Sequence, residues 1–174
     1  EHFLESSVDF KYIYTCGKVR NTTKKPPKPF TTSRIQQAAN TELRISPKET
    51  MSLCQKLYEG GFITYMRTDS EIYSNDFLVL AKGYIERKWG EDYVTNEIGT
   101  MGKKSSKKTN GKKKEDKNAQ EAHEAIRPTD VTCRELTDDY NTKEKKMYAL
   151  IWRNTVESCM TAAKYTSITA VIRA

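Results

Sequence analysis

The sequence predicts a mainly α fold with flanking β strands, centred on a winged-helix or helix-turn-helix-like body. Three observations predict it. Helical periodicity with recognisable caps recurs between Thr32 and Met160, while period-two alternation is confined to the two ends, around Val8–Tyr14 and Lys164–Arg173. Two short helices beginning near Ser33 and at Ser46 are joined only by Arg44-Ile45, the spacing of a helix pair that presents one member to DNA.

Val8, Phe10, Tyr12 and Tyr14 alternate with Asp9, Lys11 and Ile13, a half-buried strand with one imperfect position. Asn21 to Pro29 reads as a linker, because Pro26, Pro27 and Pro29 keep the backbone extended and short of donors. The first helix starts at Thr32 or Ser33, with Ser33 as cap, Gln36 completing a capping box, and Ile35, Ala38, Ala39 and Leu43 on the inner face. Ser46-Pro47-Lys48-Glu49 is the clearest helix start, with cap, first-turn proline and reciprocal Glu; Met51, Cys54, Leu57 and Tyr58 form the buried stripe and Gly60-Gly61 ends it.

Phe62 to Met66 follows as a strand or extended turn. Ser74 caps a third helix whose inward face is Phe77, Ala81, Tyr84, Ile85 and Trp89, closed by Gly90. Any helix starting near Ala119 stops by Arg127, because Pro128 disfavours helical backbone before it. Asn141 or Thr142 caps a long helix to about Met160, carried inward by Tyr148, Ile151, Trp152, Thr155 and Cys159. Lys164 to Arg173 returns to strand alternation as a partner for Val8–Tyr14. The chain opens on Glu1 and closes inside the alternating run Ile168–Ile172, which reads as a piece of something larger.

The formal charge of +7 is unevenly placed. Eight lysines between Lys103 and Lys117 against Glu115 and Asp116 carry nearly all of the excess, and this Ser-, Asn- and Gly-rich stretch is first of all a solvated insertion. An interaction with nucleic acid therefore has to be argued from the structured part. Cys16, Cys54, Cys133 and Cys159 are widely separated without paired spacing, which suggests no zinc site, and Cys54 and Cys159 read as small buried groups in a reducing compartment. No apolar run approaches the length of a membrane span.

The chemistry concentrates in Phe62-Ile63-Thr64-Tyr65-Met66-Arg67-Thr68-Asp69-Ser70. In extended backbone Tyr65 and Arg67 share a face about 7 Å apart, the scale of a phosphodiester: one group can attack phosphorus while the other holds a non-bridging oxygen. Gly60-Gly61 anchors the segment to the preceding helix, and Asp69-Ser70 reads either as a turn alone or with Asp69 orienting Arg67 by a carboxylate–guanidinium pair. A single turn of helix places His123 and Arg127 on one face.

Three runs carry a resemblance. Pro29-Phe30-Thr31-Thr32-Ser33 with Gln36-Gln37-Ala38-Ala39, then Leu57-Tyr58-Glu59-Gly60-Gly61-Phe62-Ile63-Thr64-Tyr65-Met66-Arg67-Thr68-Asp69-Ser70, then Ala122-His123-Glu124-Ala125-Ile126-Arg127-Pro128, resemble the successive motifs of type IA DNA topoisomerases. The order and spacing resemble bacterial-type topoisomerase I more closely than topoisomerase III or reverse gyrase, over about Pro29 to Lys164.

The resemblance implies that Tyr65 attacks a phosphodiester of single-stranded DNA and becomes linked to the 5′ phosphate, that Arg67 positions the tyrosine and the scissile phosphate, and that His123 supports binding and cleavage. Asp69 and Arg127 match supporting or backbone-binding positions; Thr64 and Ser70 orient the loop at the DNA, and Ser33 and Gln37 lie on the DNA-facing side. It implies residues 1–24 and 164–174 as part of a β hinge in an arch, and residues 25–163 as the catalytic-tyrosine domain with an insertion at 99–118 longer than the family's usual connection. It also implies Mg²⁺ bound by a Toprim domain whose acidic pattern this chain does not carry, with that domain and the remaining arch domains as partners in a full-length protein that relaxes negative supercoils. The expected setting is intracellular and DNA-associated, with no membrane contact, and the fragment alone is expected to be inactive. The alternative left open is a noncatalytic winged-helix DNA-binding module in which Tyr65 packs and Arg67 touches phosphate. A hydrolase is disfavoured by the lack of a metal cluster, a P-loop or an activated Cys–His pair.

Overall fold

In a computed structural model that describes Glu5, Val8, residues 13–96, Ile98 and residues 124–173, the chain divides into two units: Glu1–Lys25 with Ala162–Ala174, and Pro26–Thr161. The architecture is mainly helical, with small antiparallel sheets.

In the first unit, β1 (Ile13–Cys16) and β2 (Arg20–Lys24) run antiparallel to β3 (Ala163–Ser167) and β4 (Ala170–Arg173), with Ile13 opposite Arg173 and Arg20 opposite Ser167. The register slips by one between the two ladders, so residues 17–19 face only residues 168–169, a bulge closed by Gly17 N–H donating to Thr169 O at 2.8 Å. Several expectations are corrected here. Val8, expected in the first strand, is helical, residues 9–12 lie outside the described ones, and the expected single strand over Lys164–Arg173 is two. Asn21–Lys24 is strand rather than linker, because Thr22 and Thr23 favour extended backbone and the prolines begin only at Pro26. Both strand pairs are exposed rather than half-buried, since a two-stranded ribbon has nothing of its own to cover its faces.

The second unit begins with α1 (Thr32–Ala38), capped by Thr31, whose hydroxyl accepts from Arg34 N–H, and not by Ser33. Residues Ala39–Leu43 continue as a wider π-helical turn stopped by Arg44 in left-handed backbone (φ 58°). α2 (Pro47–Glu59) starts as expected, Ser46 Oγ accepting from Glu49 N–H, but the Glu49 carboxylate pairs with Lys143 instead of closing a box. Its buried face is Thr50, Leu53, Cys54 and Leu57; Cys54 and Leu57 are buried as expected and Met51 is half-buried against the core, but the face is turned toward Thr50 and Leu53, so Tyr58, expected inside, is turned outward.

α3 (Asn75–Trp89) is capped by Ser74 and buries Phe77, Leu78, Ala81 and Ile85. Trp89, expected in the core, is 39% exposed with its ring edge against Tyr84, because the helix ends there and Gly90 (φ 107°) turns the chain away. α4 (Thr142–Ser158) has the full capping box, Asn141 with Glu144, and buries Tyr148, Ile151, Trp152 and Thr155 as expected, with Cys159 buried just beyond its end. Between them, residues 124–128 are extended and not a helical turn: Ile126 bridges Phe30 and Pro128 bridges Ile63. These bridges lay a core of Ile35, Leu57, Ile63, Ile85, Ile126 and Ile151 directly under the Tyr65 segment. No helix is long and apolar enough to cross a membrane among the described residues.

Candidate functional site

α2 ends in a Schellman motif. Gly60 closes the helix, Gly61 takes the left-handed conformation (φ 76°), Gly61 N–H donates to Tyr58 O and Phe62 N–H to Leu57 O, each at 2.9 Å. A side chain on Gly60 would press on the Phe62 ring at 2.9 Å. The reversal lays Phe62–Thr64 along Arg127–Thr129, with Thr64 N–H donating to Arg127 O and Thr129 N–H to Phe62 O, both 2.9 Å. The backbone then bends at Met66 and Arg67. Met66 and Thr68 are buried while Tyr65, Arg67 and Asp69 face outward at alternate positions.

Tyr65 is 43% exposed, its ring packed edge-on against Tyr58 with centroids 5.3 Å apart. The nearby phenols differ. Burial pushes those of Tyr73 and Tyr148 upward, and each oxygen is engaged, with Ser158 Oγ at 3.0 Å and Cys133 O at 2.6 Å respectively. Among the described residues neither the Tyr65 hydroxyl nor the Arg67 guanidinium has a hydrogen bond or ion pair. The expected Asp69–Arg67 pair is therefore not formed. Arg67 borders a recess of about 600 Å³ lined also by Ser33, Arg34, Asp69 and Glu71, in which the other guanidinium, Arg34, is paired with Glu71 at 2.6 Å. Such a recess with one uncommitted guanidinium on its wall suits a phosphate oxygen.

The remaining expected residues divide. Ser33 is exposed at the recess; Gln37 is exposed on α1 but does not line it. The Thr64 hydroxyl is turned into the protein, donating to Ala125 O at 2.8 Å and accepting from Arg127 N–H at 3.0 Å. Ser70 Oγ accepts from Ile72 N–H at 3.2 Å and shapes the turn. Arg127 points inward as well, its guanidinium 4.2 Å from the Phe77 ring centroid and bonded to Glu124 Oε2 at 2.7 Å. Glu124 Oε1 in turn accepts from Ser74 N–H at 2.5 Å. Burial pushes the Glu124 carboxyl up, but the hydrogen bonds from Ser74 and the Arg127 guanidinium outweigh it and hold the group below the ordinary glutamate range. His123 and the insertion at 99–118 lie outside the described residues. On the Arg127 side, extended backbone replaces the helical turn expected to share a face with His123.

The sequence pattern of the DNA topoisomerase family matches residues 7–174. This chain belongs to that family. It is 46% identical over 156 residues to DNA topoisomerase 1 of Vibrio cholerae, covering 88% of this chain and 16% of the relative, and 44% identical over 154 residues to that of Escherichia coli, with the same coverage. The Pasteurella multocida protein is 42% identical over 175 residues, covering 98% of this chain and 19% of its own length. The solved full-length topoisomerase I from Thermotoga maritima superposes with a TM-score of 0.66 at 32% identity, over 99% of this chain and 27% of that one. The chain thus spans under a fifth of the curated relatives it matches, and it is a bacterial-type topoisomerase I segment.

Within that family frame, the structure adds three residues that the sequence pattern does not single out. Tyr58 meets the Tyr65 ring because it sits one turn before the Schellman reversal; its distance of seven residues gives no periodic signal. Glu124 holds Arg127 and the start of α3, which only the fold brings together. Thr32 bonds the bend next to Arg67, across 34 residues of sequence. Among the described residues no group of three or more His, Cys, Asp or Glu side chains is arranged to hold a metal ion.

Proposed function

We propose that this chain is the catalytic-tyrosine part of a type IA DNA topoisomerase that cleaves and reseals single-stranded DNA. The Tyr65 oxygen gives up its proton to solvent and attacks phosphorus, a phosphotyrosine bond to the 5′ phosphate forms, the bond from phosphorus to the 3′ oxygen breaks, and that oxygen leaves as a hydroxyl after taking up a proton. Resealing is the reverse displacement. One phosphodiester is exchanged for another, so no nucleotide cofactor is consumed, and passing a strand through the gap relaxes negative supercoils. A phenol is almost fully protonated at neutral pH, so attack requires a positive field at the phosphate; Arg67, fixed in its charge, supplies it to a non-bridging oxygen.

The observation that carries this reading is the exposed Tyr65 ring two residues before an exposed, uncommitted Arg67, on a segment held at both sides by backbone hydrogen bonds. His123 supports phosphate binding and cleavage. Ser33, Gln37 and Asp69 meet the DNA backbone, whereas Thr64, Ser70 and Arg127 act from within by holding the loop and the strand beside it. α1 and α2 form the winged-helix-like pair, and the strand ribbon is part of a hinge in the arch. Since the described residues do not fit a metal ion, Mg²⁺ is assigned to a Toprim domain of the full-length protein, and no step above runs through it. That domain and the rest of the arch are the intramolecular partners, the working place is DNA inside the cell, and the isolated chain does not relax DNA.

The test is Tyr65→Phe in the full-length protein. Loss of all covalent DNA adduct, with the Kd for single-stranded DNA within about threefold of the parent, supports the enzyme reading. A parent that forms no adduct, with single-strand binding weakened by Tyr65→Phe, identifies a noncatalytic DNA-binding module.

A further inference from the structure

A single hydroxyl outside the Tyr65 segment holds the bend from which Arg67 projects. Thr32 is the first residue of α1, where backbone N–H groups have no partner within the helix. Its N–H is given to Thr68 O at 2.9 Å. Its hydroxyl proton lies between the carbonyl oxygens of Met66 (2.8 Å) and Thr68 (3.1 Å), while its oxygen accepts Thr68 N–H at 2.9 Å. A hydroxyl has one donor and two acceptor positions, so donor and acceptor are both committed to the residues on either side of Arg67.

These bonds cross 34 and 36 residues of sequence. Together with the burial of Met66 and Thr68 they hold the Met66–Thr68 backbone at its recess side, where the Arg67 side chain makes no bond of its own among the described residues. The opposite flank is fixed separately, by Thr64 on Ala125 and Arg127.

We infer that Thr32 is a positioning residue for strand cleavage, its hydroxyl setting the direction in which Arg67 meets the phosphate relative to the Tyr65 oxygen. Valine keeps the shape of threonine but its side chain can neither donate nor accept, so it would leave the Thr68 N–H and the Met66 carbonyl without the Thr32 hydroxyl, while Thr68 O keeps the backbone N–H of residue 32. Serine keeps the hydroxyl. The inference rests on Tyr65 being the nucleophile.

The experiment compares full-length parent, Thr32→Val and Thr32→Ser, measuring the single-turnover rate of adduct formation at saturating protein on a labelled single-stranded oligonucleotide, together with its Kd and the thermal midpoint. The expected result is a cleavage rate lowered about a hundredfold in Thr32→Val, as for a misplacement of about 1 Å, with the Kd changed by less than about threefold, and near-parent cleavage in Thr32→Ser. A purely structural role would move the rate and Kd together with the midpoint, and that result overturns the inference. So does parental cleavage by Thr32→Val, or a serine variant as slow as valine. If the valine variant does not fold, Thr32→Ala takes its place and the same results decide. Parent protein that forms no adduct, or an adduct that survives Tyr65→Phe, overturns the functional reading and this inference together; a parent adduct with unchanged Thr32→Val overturns this inference alone.

Discussion

Tyr65 is distinguished from Tyr73 and Tyr148 by what its oxygen touches: theirs are bonded inside the protein, and its own is not bonded among the described residues. In the proposed reaction, the charge that acts on the phosphate comes from Arg67. Arg67→Ala is expected to slow single-turnover cleavage about a hundredfold or more, the usual cost of removing one group that stabilises developing charge. Arg67→Lys should recover only part of this, because an ammonium keeps the charge but not the planar fork. The Tyr58 ring sets the orientation of Tyr65 through an edge contact with a worth of about 0.5–1.5 kcal/mol, so Tyr58→Phe should cleave like the parent and Tyr58→Ala several-fold slower, as read by adduct formation over time. Tyr65 and Arg67 are legible in the sequence because their chemistry lies within three consecutive residues on a turn-bounded segment. Thr32 and Tyr58 are not, because a hydroxyl bonded across 34 residues and a ring met after a chain reversal leave no periodic trace. Of the two places expected for Arg127, supporting or backbone-binding, the sequence cannot choose, because Glu124, which holds the guanidinium inward, is placed by the extended backbone that pairs with Phe30 and Ile63.

Two elements hold the site, and each can be tested apart from the chemistry. The glycine reversal after α2 needs left-handed backbone at Gly61, so Gly61→Ala should lower stability by about 1–2 kcal/mol, read as a fall in denaturation midpoint, with Gly61→Asn costing less. The second is the link from Ser74 through Glu124 to Arg127. Because the folded-state carboxyl lies below its ordinary value, its stabilisation is complete above the unfolded-state pKa and is lost as pH falls through the folded one, in the acid range below that of an ordinary glutamate. Thermal midpoints measured from neutral to acid pH should therefore fall more steeply in the parent than in Glu124→Gln, and the variant should be less stable at neutral pH by about 1–2 kcal/mol. Helix starts are readable wherever a cap and first-turn residue coincide, as at Ser46, Ser74 and Asn141. The outer edge of the buried face of α2, where Tyr58 turns out and Thr50 and Leu53 turn in, and the state of residues 124–128 are not, since the first depends on which neighbours cover it and the second on strand partners far away in sequence.

At the scale of the molecule, the family is settled while the chain covers only 16–19% of its curated relatives, so relaxation of DNA is proposed for a full-length protein and not for this chain alone. The ends of the chain are legible as strands, but not the one-residue slip between their ladders, because alternation specifies which face a residue takes and not where a bulge resets it. The lysine-rich stretch at 99–118 makes a separate prediction: if it touches DNA, its deletion should flatten the decline of single-strand affinity with salt, by about 0.7 in logarithmic slope for each phosphate that its lysines neutralise. The central claim, that Tyr65 takes the 5′ phosphate of a broken strand, is tested most directly by denaturing electrophoresis of the full-length protein after reaction with one single-stranded oligonucleotide in Mg²⁺, labelled in parallel at its 5′ or its 3′ end. The account predicts that the 3′-labelled fragment stays on the protein through Tyr65 while the 5′-labelled fragment runs free; retention of the 5′-labelled fragment, or an adduct mapped to another residue, would contradict it.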